Sequence, residues 1–408
     1  MGISGETNKE ARLNILLGLL KYPPDYAGDG LRLHRMLTRL RESSRVQDVF
    51  VITSWDKPEQ KADQNLQGIC VFRPAESTLK KEWRAYGKFK KLTVFLGESF
   101  NIAKHYFRLH RRIDLVFTSG SGWFPSVIAW LAWLDRKPLI KEIVLMGSDD
   151  PLTLAKKRLL LRWIFTLPFR FADLIVVLSP VLKNACIQFG IPEEKLWSRL
   201  NPVVLPSNLK EQPPFFPDAL PVLLWVGVLS PRKNVEFLLQ AAKYLTSPVQ
   251  LCFVGPSEDD TYREKLSALA DQLPPSVKVC FLGKMEDQSR LYALYRQAKL
   301  FWFSSLKEGS PNVVAESLLC GTPVVSLPVM GAVPFLVENG KDGEVVDTAS
   351  PQEFARVADR WLTRDVSKES IAFRAQQRFD HKPIDAKYVE HFQRIIGQKN
   401  HPHHSPNP

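Results

Sequence analysis

Short apolar runs alternate with amphipathic segments along this chain, and the alternation happens twice. Runs at 13–20, 49–53, 115–118, 139–145 and 174–178 form a first series; runs at 222–226, 249–254, 277–282, 300–303 and 324–326 form a second. Runs of this length, rich in Val, Ile, Leu and Phe, fit strands buried on both faces, as in a parallel sheet covered by crossover helices. Between the two series, 201–221 holds Pro202, Pro206, Pro213, Pro214, Pro217 and Pro221 and reads as a linker, because proline continues neither a helix nor a central strand. With 408 residues the chain exceeds what one core usually supports. The expectation is α/β architecture: two Rossmann-like, doubly wound domains facing a central cleft, with the carboxyl ends of both sheets turned toward it. The boundary falls at 205/206, the second domain runs over 206–379, and a helix over 384–396 precedes a polar tail at 399–408.

The second series carries the segment with most chemical content, Glu308-Gly-Ser-Pro-Asn-Val-Val-Ala-Glu316. It follows the aromatic run 298–305 and leads into a helix that glycine should end at Gly321. Ser310 is expected as N-cap, with Pro311 at the first helical position. Glu308 then hangs from a strand end while Glu316 sits inside the helix, so two carboxylates approach one crevice beside free helix amides. Such a place suits an anionic, hydroxyl-bearing ligand. A similar opening occurs at Ser230-Pro-Arg-Lys-Asn234, after the run Leu223-Leu-Trp-Val-Gly227. A helix over 231–242 would place Arg232 and Lys233 in its first turn, where a pyrophosphate meets fixed dipoles and mobile cations. Two solvated cations at a helix start are the bland reading; the company of 308–316 argues for the functional one.

Charge is unevenly spread. Residues 1–200 hold 32 Lys and Arg against 20 Asp and Glu, which accounts for the whole net charge of +12; residues 201–408 are neutral. The basic side chains concentrate at 80–91, 104–112 and 156–170, mixed with large apolar residues, a composition that can rest on an anionic membrane surface. The competing reading is a helix with one solvated basic side. No recognition-helix or RNA-binding pattern accompanies the charge, so nucleic acid is not an expected partner. The longest apolar region, 159–180, is interrupted by Arg162, Pro168, Arg170 and Asp173, too polar for a bilayer span. The start, Met1-Gly-Ile-Ser-Gly-Glu6, resembles neither a secretory signal nor a myristoylation site. Five scattered cysteines, odd in number, point to reduced thiols and a cytoplasmic protein, with any contact at the inner face of the cytoplasmic membrane being peripheral. The tail His401-Pro-His-His-Ser-Pro-Asn-Pro408 reads as a disordered end rather than a metal site.

Taken in order, several motifs resemble the retaining glycosyltransferases of family 4, the GT-B group often labelled glycosyl transferases group 1. In the second half the resemblance rests on Trp225-Val-Gly-Val-Leu-Ser-Pro-Arg-Lys-Asn234, Val254-Gly-Pro256, Phe281-Leu-Gly-Lys284, Glu308-Gly-Ser-Pro-Asn312, Glu316, Gly321-Thr-Pro-Val-Val325 and Gly340 to Gly343. In the first half it rests on Tyr22-Pro-Pro-Asp-Tyr-Ala-Gly28, Ala172-Asp-Leu-Ile-Val-Val-Leu-Ser179 and Gly190-Ile-Pro-Glu-Glu-Lys195.

The resemblance implies transfer of a sugar from a UDP- or GDP-sugar to a hydroxyl of a glycan, lipid-linked or lipopolysaccharide-type acceptor, with retained anomeric configuration, as in polysaccharide biosynthesis. It implies an acceptor domain over 1–205 completed by the helix at about 380–398. Glu308 matches the glutamate at the donor sugar, Glu316 the one on the ribose hydroxyls, and Lys233 the lysine on the diphosphate, with Arg232 beside it. Gly28 matches the glycine-rich first loop that lets backbone approach the phosphates. Ser310, Asn312 and Val313 fall where family members meet the donor, the last two through backbone N–H groups, and Lys284 with Met285 fall near the base. No Asp-x-Asp signature coincides with this site, so no metal or other cofactor is expected.

Two departures qualify the match. Val228 stands where the family carries an arginine, and the segment Lys141-Glu-Ile-Val-Leu-Met-Gly-Ser-Asp-Asp150 lacks the histidine that many members place near the transferred sugar. Glu142, Asp149 or Asp150 are candidates on the acceptor side, and surface carboxylates at a turn are the equally good alternative. Trp123, in Gly120-Ser-Gly-Trp-Phe-Pro125, offers a sugar-stacking face or a core side chain. Two other functions fit the same residues: a GT-B sugar-nucleotide epimerase, and a non-catalytic subunit docking on a membrane or partner.

Overall fold

The computed structural model describes residues 12–24, 28–55, 63–76, 87–157, 162–206, 213, 215–216, 220–329, 333–348 and 350–400. The chain start, the 401–408 tail, residues 25–27 of the first loop, 80–86 and 158–161 of the basic stretches and most of 207–219 in the linker lie outside the described residues. The chain divides into two compact units: one made of Met1–Val177, Leu182–Ser198 and Lys382–Pro408, the other of Leu178–Val181 and Arg199–His381.

In the first unit the strands are β1 (Leu13–Gly18), β2 (Val46–Trp55), β3 (Gln64–Leu66), β4 (Ile69–Glu76), β5 (Leu115–Ser119), β6 (Leu139–Ile143), β7 (Leu174–Val177) and β8 (Leu196–Ser198). They form one sheet in the order β3-β4-β2-β1-β5-β6-β7-β8, parallel except for the β3–β4 hairpin. The helices, in chain order, are α1 (Gly28–Glu42), α2 (Lys88–Leu109), α3 (Trp123–Leu134), α4 (Pro151–Lys157), α5 (Arg162–Phe171) and α6 (Pro180–Gln188). From β1 the sheet grows outward to β2 and β4, then returns to β5 on the other side of β1, so the topological switch lies between β1 and β5. The last helix, α14 (His381–Asn400), extends beyond the expected 384–396 and buries Tyr388, Phe392 and Ile395 in the core with Ile15, Leu17 and Val51. Arg39 on α1 donates from Nε to Asp385 Oδ2 at 2.6 Å and so fixes that helix to its neighbour.

The second unit has a six-stranded, wholly parallel sheet, β11-β10-β9-β12-β13-β14, built from β9 (Val222–Val226), β10 (Val249–Val254), β11 (Val277–Gly283), β12 (Leu300–Phe303), β13 (Val324–Ser326) and β14 (Gly343–Val345). Alternate residues of one strand enter opposite cores. Leu223, Trp225, Phe253 and Trp302 pack on one face, whereas Leu224, Val226, Cys252 and Phe303 pack on the other. That is why these runs are apolar without alternation. The helices are α7 (Val235–Ala242), α8 (Asp260–Ala270), α9 (Gln288–Gln297), α10 (Asn312–Leu319), α11 (Val333–Leu336), α12 (Pro351–Thr363) and α13 (Lys368–Phe379). Here the switch lies between β9 and β12.

Two helix starts differ from expectation. Residues 231–242 are not one helix: Pro231–Lys233 form a single 3-10 turn, Asn234 turns left-handed at φ 54°, and α7 begins only at Val235. Asparagine tolerates that conformation better than most residues, and it breaks the helix there. Downstream, α10 starts at Asn312 with Pro311 as its N-cap and no side-chain cap, so Ser310 lies one residue outside. The Ser310 carbonyl is instead held by Asn201 Nδ2 at 3.1 Å. Gly321 ends this helix at φ +78°, where an added Cβ would lie 2.5 Å from the Lys368 carbonyl oxygen.

Candidate active site

In the second unit the loops leaving β9 and β12, the two strands that flank the switch, meet. The approach depends on glycine: Gly227 N donates to the Val254 carbonyl at 2.9 Å, Gly255 N to the Gly283 carbonyl at 2.8 Å, and a Cβ on Gly255 would sit 1.7 Å from the Gly227 oxygen. From the β12 side, the wholly buried Ser304 donates its hydroxyl to the carbonyls of both Lys233 and Asn234, at 3.0 Å each. Leu306 N donates to the Arg232 carbonyl at 2.9 Å. The 3-10 turn is therefore pinned by its backbone, which leaves the two cationic side chains to project from a fixed base.

Both cations converge on one carboxylate oxygen. Lys233 Nζ donates to Glu308 Oε1 at 2.6 Å and Arg232 Nη1 to the same oxygen at 2.9 Å, while Arg232 also reaches the Lys307 carbonyl at 2.8 Å. Among the described residues Glu308 Oε2 receives no protein donor. Two positive groups on one negative group leave a local excess of one positive charge, the sign that attracts a diphosphate. Arg232 and Lys233 stand in the 3-10 turn rather than at a helix N-terminus, so their attraction comes from their own charge. The Glu308 segment leads into the start of α10, where Asn312 and Val313 occupy the first two positions without a side-chain cap.

Asn201 went unnoticed in the sequence and organises that start. Its Nδ2 donates to the Ser310 carbonyl and to Asn312 Oδ1 at 3.2 Å, and Arg199 Nη1 fixes its own Oδ1 at 3.1 Å. A linker residue holding a loop some 110 positions away has no local sequence signal. Glu316 projects from the second turn of α10, half-buried, and accepts from the Tyr295 hydroxyl at 3.2 Å. Burial and the nearby Glu316 push the Tyr295 phenol well above its usual range, so it stays a donor. Lys284 is exposed and paired with Glu286 at 2.8 Å, while Met285 and Val313 pack against the core.

In the first unit, charged side chains gather beside the β1–β5 switch. Arg32 Nη2 bridges Asp29 Oδ1 and Glu142 Oε2 at 2.5 Å each, and the Ser119 hydroxyl donates to Asp29 Oδ2 at 2.5 Å. Glu142 is wholly enclosed, so its carboxylate serves the neighbouring Arg32. Its neighbour Lys141 is also buried, donating from Nζ to the Gly120 carbonyl at 2.8 Å with its ammonium 4.7 Å from the centre of the Phe169 ring. Burial lowers the Lys141 pKa to about 8, and burial raises that of half-buried Asp149 to about 6 against the opposing pull of Lys141. Asp150 caps α4, accepting from Thr153 N at 2.8 Å. Trp123 is wedged between Phe95 and Phe165 and donates its Nε1 to Ser99 at 3.0 Å, the account of a packed core side chain. Gly28 opens α1 in open space; two residues on, a Cβ at Gly30 would lie 2.4 Å from the Lys21 carbonyl oxygen.

With two doubly wound sheets and a cationic site at a strand switch, the molecule has the GT-B fold of glycosyltransferases. Solved structures carry the same fold over nearly the whole chain. HepE of Anabaena in complex with UDP superposes with a TM-score of 0.70 at 22% identity, covering 94% of this chain and 100% of that one. Sucrose-phosphate synthase of Thermosynechococcus elongatus gives 0.70 at 18% identity, covering 95% and 100%. Residues 207–378 match the family model described as Glycosyl transferases group 1, so the chain carries a domain of that family. Among curated relatives, a D-inositol 3-phosphate glycosyltransferase of Streptosporangium roseum is 32% identical over 165 residues, which is 38% of this chain and 38% of that protein. The chain thus aligns with well under half the length of the curated relatives it matches.

Proposed function

We propose that the chain is a retaining glycosyltransferase that moves a sugar from a UDP-sugar, or the related GDP-sugar, to a hydroxyl of a glycan, lipid-linked or lipopolysaccharide-type acceptor, without a metal ion. The observation that carries this is the convergence of Lys233 and Arg232 on Glu308 at the β9–β12 switch. UDP heads the donor order because the HepE structure holds it. A cytoplasmic location is the setting this reading implies.

In the reaction, the bond from the anomeric carbon to the diphosphate breaks and a bond to the acceptor oxygen forms on the same face. The acceptor proton passes to the departing phosphate oxygen. Charge grows on the diphosphate as the sugar leaves, and Lys233 and Arg232, with the N–H groups of Asn312 and Val313, supply preorganised positive potential there. Glu308 holds the cations in place before the donor arrives and afterwards offers Oε2 to the sugar hydroxyls. Glu316, held by Tyr295, takes the ribose hydroxyls, and Lys284 with Met285 stand beside the base.

A thermal-shift series with UDP, GDP, ADP and their sugars tests the donor. At 100 times its dissociation constant a true donor adds about 2.7 kcal/mol of stability. Product analysis then settles the chemistry: transfer with retained anomeric configuration in the presence of EDTA supports the reading, and release of nucleotide with no glycosylated acceptor sinks it.

A further inference from the structure

α2 has two apolar faces, and only one of them is used inside the molecule. Glu98, Ile102, Tyr106 and Leu109 are buried. On the solvent side Leu92 is 54%, Leu96 60%, Phe100 71% and Phe107 50% exposed, and at 3.6 residues per turn all four fall within an arc of roughly 80°. Lys90, Lys104 and Arg108, all exposed, follow in the next roughly 80° of the helix surface. The one carboxylate of this helix, Glu98, points inward, so all the charge displayed on its exposed face is positive. Large apolar side chains grouped in water mark a surface that meets a partner.

The neighbouring helices extend the pattern. Phe95 on α2 meets Trp123 on α3 at 4.7 Å between ring centroids, and Trp130 on α3 meets Trp163 on α5 at 5.7 Å. Trp133 and Trp163 are exposed on these helices, with Arg162 and Arg170 also exposed on α5. Tryptophan, phenylalanine and leucine beside lysine and arginine are the composition of a surface that lies in a bilayer interface. Among the described residues, no helix is long and apolar enough to cross a membrane.

We propose that the exposed arc of α2 docks on a bilayer of anionic lipid, with Leu92, Leu96, Phe100 and Phe107 entering the acyl boundary and Lys90, Lys104 and Arg108 meeting the headgroups. A second copy of the chain is the poorer occupant, since it would set one cationic strip against another. The contact is independent of the transfer reaction, because it is measured without donor or acceptor.

The test is co-flotation of the full chain with vesicles of phosphatidylglycerol and phosphatidylcholine, compared with phosphatidylcholine alone. The expected result is binding to the anionic vesicles that weakens with salt. It is lost in Leu96→Asp with Phe100→Asp and roughly hundred-fold weaker when Lys90, Lys104 and Arg108 are all changed to Gln. All five positions are exposed, so melting curves should match the wild type and exclude misfolding. Failure of the wild type to float with anionic vesicles, or equal flotation of both variants, overturns the proposal. So does light scattering that shows a dimer dissolved by the Asp variant, which would assign the face to a second copy.

Discussion

Lys233 Nζ and Glu308 Oε1 lie 2.6 Å apart, and each side chain is only 13% exposed. Partly withdrawn from water, the pair cannot lose one member without leaving the other poorly solvated. Lys233→Ala should therefore lower kcat roughly 10²- to 10³-fold, the scale of losing one preorganised donor to developing charge. Arg232, with its side chain 49% exposed, should cost less when truncated. Steady-state kinetics with a UDP-sugar checks the order; an unchanged kcat in Lys233→Ala would remove the pair from the mechanism.

Asn201 gives a second prediction. Asn201→Ala leaves the Ser310 carbonyl and Asn312 Oδ1 without their shared donor, which should cost about 1–2 kcal/mol in urea unfolding and weaken donor binding. Ser310→Ala should stay within about 0.5 kcal/mol, because its hydroxyl caps no helix. The reverse order would mean that serine caps α10 after all, as the local sequence implies.

These residues show where sequence reading stops. Strands β9, β10, β12 and β13 stand at the residues their apolar runs mark, since burial on both faces writes itself into consecutive positions. The β3–β4 hairpin and the three-residue strands β8 and β14 gave no such run. Arg73 lies within β4 yet is buried, because it donates to the Ser54 carbonyl at 3.0 Å. At the site, Glu308, Arg232 and Lys233 were legible as residue types in an order. Ser304, Asn201 and the Arg32–Glu142 pair were not, because each acts on a partner at least 70 residues away.

Glycine substitutions separate fold from site. Gly255→Ala meets the Gly227 oxygen at 1.7 Å on a backbone with φ +137°, so it should unfold the protein or lower its stability by more than about 3 kcal/mol. Gly28→Ala meets nothing within 4 Å and should leave the melting temperature unchanged while raising the donor Kd, if backbone approach to phosphate is its role. A Gly28→Ala variant with wild-type donor affinity would withdraw that role.

Lys141 and Asp149 predict opposite slopes of stability with pH. Asp149 titrates near 6 when folded against an ordinary 3.8, so between about pH 4 and 6 the folded protein keeps a proton the unfolded chain has released, and stability falls as pH rises. Lys141 titrates near 8 against 10.5, so from about pH 8 to 10.5 the unfolded chain holds the extra proton and stability rises. Each slope should sum to about 3 kcal/mol. Glu98, pushed up to about 7 by burial and by Glu76, adds to the first slope, so the quantity to read is the difference between wild type and variant. Asp149→Asn should flatten the lower slope and Lys141→Met the upper one. Because the Asp149 charge also supports the Lys141 ammonium, Asp149→Asn should in addition start the upper rise at lower pH. Chemical denaturation across the two windows measures both effects, and an upper rise that starts at the same pH in wild type and Asp149→Asn would show that Lys141 does not sense the Asp149 charge.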